Sequence, residues 1–132
     1  DFFARAEALL SEGYHFIGLK SWYVYDLKNI HHFDYLAPLP LGGGRVYSRE
    51  MLEKIDYQLF DISKERHLDD LGYSQVCKSG MKQAIIPQPL ILSVKGDWVV
   101  MNPLNAMFGS RNAMLKESLY DPKHILEKFN YG

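Results

Sequence analysis

Residues 30–48, IHHFDYLAPLPLGGGRVYS, set two prolines and three consecutive glycines between Pro38 and Gly44. Proline removes a backbone donor and glycine forfeits side-chain packing, so no helix or strand persists through such a run. The stretch reads as a connecting loop first and a contact surface second. It leaves a short opening piece and a longer closing piece to supply the regular elements.

The opening piece begins with DFFARAEALLSEG. Phe3, Ala6, Leu9 and Leu10 fall on one helical face, and Gly13 is placed to end the helix. YHFIGLKSWYVYDL then changes to a strand composition, with a turn or bulge at Gly18 to Ser21. After the loop, Ser48 can cap a helix REMLEKIDYQLF whose Met51, Leu52, Ile55 and Leu59 share a face. A short helical turn, KERHLDDL, follows Ser63 and is predicted to stop at Gly72.

From Tyr73 the pattern predicts strands: YSQVCK, KQAII, LILSV and WVVM, with LILSV-KGD-WVVMN the clearest hairpin. LNAMFGSRNAMLKES reads as an exposed loop with a partial helical turn. Asp121-Pro122 opens a last helix carrying KHILEKF. The expectation is α+β: one domain spanning 1–132, a mostly antiparallel sheet stronger in the C-terminal half, packed against two to four helices.

The last third resembles the PGDYG-type small proteins of phages and bacteria. Gly96, Asp97 and Trp98 in KGDWVVMNP match the strand motif, and Tyr120, Phe129 and Tyr131 match the terminal pattern. Lys95 stands where that family usually has proline. The resemblance implies a small β-rich module of bacterial or phage origin and carries no established activity.

At 132 residues the chain fits one domain and buries enough surface to fold without staples. The single cysteine, Cys77, excludes an internal disulfide; with no targeting segment, it points to a cytoplasmic address. The chain opens on Asp1, as expected of a trimmed form or fragment of something longer. Formal net charge is -1 with the signs interspersed, which disfavours a nucleic acid partner. Apolar runs fall short of the ~20 residues a membrane helix needs, so no membrane is expected.

Several residues can carry chemistry. His31, His32 and Asp34, and separately His67 with Asp69 and Asp70, are metal-ligating types, but neither group has a known ligand spacing, so no metal and no cofactor is expected. His31, His32 and His67 are the candidate catalytic residues. Gly44 and Arg45 form a candidate anion site before the Ser48 helix, without matching a P-loop or dinucleotide fingerprint. Cys77 reads as a buried strand thiol and His15 as a structural strand histidine.

Nine tyrosines, seven phenylalanines and two tryptophans supply the remaining signal. If Trp22, Tyr25, Phe33 and Tyr35 face outward, they form an aromatic interaction surface. The expected function is a non-enzymatic macromolecular binding module of immunity, inhibitor, accessory or phage-host type, with a protein partner and room for a homo-oligomer. The alternative is a small hydrolase or group transferase acting on a phosphate-bearing or nucleotide substrate through the His/Arg residues of 30–48 and His67.

Overall fold

The computed structural model describes residues 1–35, 40, 43–64, 70–95, 113–119 and 123–130; for Tyr35 and 113–119 the description covers the main chain. The chain is α+β and forms two compact units, each assembled from two separate segments. Each unit holds its own small mixed sheet, in place of one mostly antiparallel sheet, and strands occur in both halves of the chain.

The first unit comprises Asp1–Leu19 and Leu39–Ile86. Its elements are α1 (Phe2–Ser11), β1 (Phe16–Leu19), β4 (Val46–Tyr47), α2 (Arg49–Lys54), α3 (Asp70–Ser79) and β5 (Gln83–Ile86). The sheet order is β4-β1-β5, with β4 antiparallel and β5 parallel to β1. All four residues of β1 are buried. Phe16 packs with Met51, Ile55, Tyr73 and Val76, so one face of the sheet is covered by α2 and α3. Strand alternation sends Ile17 and Leu19 to the opposite face, and α1 contacts β1 and buries Ala6 and Leu9.

The second unit comprises Lys20–Pro38 and Pro87–Gly132. It contains β2 (Ser21–Tyr25), β3 (Ile30–Tyr35), β6 (Leu92–Val94), β7 (Ala113–Leu119) and a last helix, α4 (Lys123–Lys128). The order is β6-β2-β3-β7, with β6 parallel to β2 and the other pairs antiparallel. Trp22 stacks on Phe33, ring centroids 5.6 Å apart, with Val24 fully buried on the same face. On the other face Tyr23 lies against His32 and Phe129.

Several local expectations change. Residues 30–35 form the strand β3, because Asp26 to Asn29 make a tight hairpin turn back from β2. The Asp26 carboxylate accepts from the Lys28 and Asn29 N–H groups at 2.9 and 2.7 Å. Pro40, expected in an outer crossover, is buried; its Cβ lies 2.7 Å from where a Gly18 side chain would begin. YSQVCK is helical, part of α3, and Cys77 is exposed. Its Tyr73–Val76 spacing serves one helical face against Phe16, and this packing overrides the short alternation read as a strand. Residues 113–119, expected as a loop, form β7 beside β3.

Gly72 does not stop a helix; it sits inside α3. A Cβ there would lie 2.8 Å from the Leu59 carbonyl oxygen, so glycine is kept for close approach. KQAII and LILSV do supply strands, β5 and β6. His67, Asp69, the WVVM strand, and Gly96, Asp97, Trp98, Tyr120 and Tyr131 of the tail motif lie outside the described residues.

Candidate binding surface

Residues 55–64, which follow α2, are the most informative surface of the first unit. Ser48 caps α2, its Oγ accepting from the Met51 N–H at 3.0 Å, and His15 Nδ1 lies 2.9 Å from the same oxygen. Hydrogen bonds from its own N–H and from Ser48 hold the Glu50 carboxyl below the usual range, with smaller help from the His15 and Arg49 charges. At the other end the Tyr57 N–H donates to Leu52 O and the Asp56 N–H to Glu53 O, the two bonds of a Schellman stop. Asp56 and Tyr57 both take left-handed backbone, φ 52° and 56°. Such conformations cost about 1–2 kcal/mol for an L-residue and persist only where the surroundings enforce them.

The segment beyond is pinned at several points. Leu59 packs against the Phe16 core, and its carbonyl accepts the Gly72 N–H at 3.1 Å, satisfying a first-turn donor of α3. The Gln75 amide donates to Gln58 Oε1 at 3.0 Å. Asp61 accepts from the Ser63 hydroxyl and N–H, while the Lys64 ammonium stands 3.5 Å away. The Ser63 hydroxyl bond, then its N–H, lower the Asp61 carboxyl.

This held frame turns three large apolar side chains to solvent: Tyr57 at 60 % exposure, Phe60 at 62 % and Ile62 at 95 %. Leu59, between them, is the inward anchor. Scattered exposed apolar residues are ordinary; three within six positions on an ordered turn are a surface that gains by being covered. The sequence carried the signal as YQLFDI, an aromatic and aliphatic cluster running past the end of the helical face.

The expected interaction residues are placed differently. Trp22 and Phe33 are buried against each other, because cross-strand pairing in the β2–β3 hairpin puts them opposite on the inner face. Tyr25 is half-buried, and the side chain of Tyr35 lies outside the described residues. Trp22 and Phe33 thus build core, and the exposed phenylalanine and tyrosine rings among the described residues, Phe3, Tyr57 and Phe60, lie in the other unit.

Of the candidate catalytic histidines, His31 and His32 do not converge. His31 and His32 are consecutive on β3, so they face opposite sides of the sheet. His31 is buried and its Nε2–H donates to Asp26 Oδ2 at 2.8 Å. Burial pushes the Asp26 carboxyl up; the hydrogen bonds from Asn29, His31 and Lys28, with the His31 charge, outweigh it and hold the group below its ordinary value.

The Ser21 hydroxyl lies 2.6 Å from His32 Nε2 and 2.9 Å from the Phe33 carbonyl, with one proton to share between them, and the direction of the His32 bond follows the imidazole tautomer. Ser21 is fully buried. Arg45 gives its guanidinium to the Pro40 carbonyl at 3.1 Å and lies 5.8 Å from the Tyr73 ring centroid, so the Gly44–Arg45 segment braces its own unit. Among the described residues, no three His, Cys, Asp or Glu side chains gather to hold a metal ion, and no helix is long and apolar enough to cross a membrane.

Compared with protein-family models, curated proteins and solved structures, the chain matches none at a significant level.

Proposed function

We propose that this protein is a non-enzymatic binding module that recognises another protein through the Tyr57–Ile62 turn. The observation carrying the reading is the combination of strain, hydrogen bonding and exposure in one short segment: a costly backbone conformation holds Tyr57, Phe60 and Ile62 in water. Leu59 of this segment packs against the Phe16 core, while those three side chains stay outside it. Aromatic anchors on a preorganised turn lose little entropy when covered, which is how a few residues come to dominate an interface. Balanced charge favours a protein over a nucleic acid. The likeness of the tail to PGDYG-type proteins supports a bacterial or phage setting, where immunity, inhibitor and accessory modules of this size operate.

The test is parallel capture from the native host with the wild-type chain and a Tyr57→Ser/Phe60→Ser/Ile62→Ser variant. A protein retained by the first and lost by the second supports the reading. Two buried anchors at about 2 kcal/mol each correspond to a loss of roughly a thousandfold in affinity. Identical recovery by both chains, or no specific protein with either, overturns it.

A further inference from the structure

The outer side of β5 is a second surface, distinct from the Tyr57–Ile62 turn. In the sheet order β4-β1-β5 it is an edge strand. The Ser48 N–H donates to the His15 carbonyl on the β4 side of β1, so Phe16 and Gly18 turn their main-chain groups toward β5. In the parallel register Phe16↔Gln83 they meet Ala84 and Ile86, and the Lys82 carbonyl, pointing the same way, accepts the His15 N–H at 2.7 Å. Gln83 and Ile85 therefore direct N–H and C=O outward, and among the described residues neither has a main-chain partner there.

Natural edge strands are guarded by lysine, proline, a bulge or an inward charge. QAII has none of these within it. Lys82, at its start, is drawn aside: its ammonium lies 3.9 Å over the Tyr14 ring and 3.5 Å from the Glu12 carbonyl. Ile85 is exposed, and Gln83 Oε1 is shut off from solvent without a hydrogen-bond donor among the described residues.

We propose that this edge pairs antiparallel with β5 of a second copy of the chain, about a two-fold axis at Ala84. The register is self-complementary. Gln83 of one copy faces Ile85 of the other, twice, and the outward groups of both residues are used in four main-chain hydrogen bonds. Lys82 falls opposite Ile86, so no like charges meet. The two Gln83 side chains become diagonal neighbours on one face. Pro87 ends the pairing after β5. So short a contact is smaller than the ~800 Å² per partner of a standard interface, and the association is weak and concentration-dependent.

Sedimentation equilibrium of the whole chain between about 5 µM and about 1 mM reads this directly. The wild type rises from the monomer mass toward twice that mass. Ile85→Lys places a charge on the edge, and Ile85→Pro removes an outward N–H without touching the ladder to β1; each weakens association at least about tenfold while the circular dichroism of the fold is retained. If the proline variant fails to fold, the lysine variant decides. A wild type that stays monomeric throughout, or a folded Ile85→Lys variant that dimerises as the wild type does, overturns the proposal. Dimerisation abolished instead by the Tyr57/Phe60/Ile62 variant would overturn it too, assigning the contact to the other surface.

Discussion

Replacing Asp56 with glycine is expected to stabilise the first unit. Asp56 occupies the first position beyond the α2 cap at φ 52°, where α1 carries Gly13 at φ 87° and α3 is followed by Gly80 at φ 69°. Relief of the left-handed conformation is worth about 1–2 kcal/mol, and the greater freedom of glycine in the unfolded chain takes back about 0.4–1 kcal/mol. Asp56 also sets a negative charge at the negative end of α2; removing it adds about 0.3 kcal/mol. The net gain is about 1 kcal/mol, or roughly 3–5 °C in Tm for a chain of this length. Urea and thermal unfolding of wild type, Asp56→Gly and Asp56→Asn separate the causes, since asparagine removes the charge and keeps a side chain. The expected order of stability is Gly, then Asn, then wild type. An Asp56→Gly protein no more stable than wild type, with an unchanged m-value, would refute the claim that this turn stores backbone strain.

Two further changes probe the frame around the surfaces. Gly72→Ala drives a Cβ to 2.8 Å from the Leu59 carbonyl oxygen and 3.2 Å from its Cα, both main-chain atoms with little freedom, so a loss of about 2–3 kcal/mol is expected in chemical denaturation. The same variant should weaken partner capture, because the displaced segment carries Tyr57 and Phe60. The lowered Asp26 carboxyl makes a pH prediction: a depressed acid stabilises the fold fully above its unfolded pKa of about 3.9, and that contribution disappears as pH falls through the lower folded value. Asp26→Asn should therefore be the less stable protein at neutral pH and lose less on acidification below about pH 4, as followed by unfolding curves from pH 7 to pH 2.

The α+β class was readable because α1, α2, β1, β2, β5 and the last helix follow local rules: a Gly13 stop, a Ser48 cap, runs of β-branched and aromatic residues. The failures share a cause in distant packing. Gly72 looked like a terminator, yet its lack of a side chain answers the Leu59 carbonyl from thirteen residues away. Tyr73, Gln75 and Cys77 alternate as a strand would, while burial of Tyr73 and Val76 against Phe16 makes them helical. His31 and His32 drew attention as adjacent imidazoles, although adjacency in a strand separates them. The aromatic surface was sought at Trp22 and Phe33, where ring content is highest; pairing across the hairpin consumed those rings. Exposure at Tyr57, Phe60 and Ile62 depends on which way a strained turn faces, and no periodicity encodes that.

The interleaving of the two units along the chain bears on how synthesis and folding are ordered. Neither unit is contiguous: the first closes only when residues up to 86 meet 1–19, and the second holds an early β2–β3 hairpin waiting for β6 and β7. A nascent chain emerging from the ribosome would carry that hairpin, with Trp22 and Phe33 and no flanking strands, through the whole interval in which the first unit is completed. Premature termination after Ile86 would accordingly release a product that holds β4, β1 and β5 of the first sheet but lacks β6 and β7 of the second, a natural substrate for chaperones.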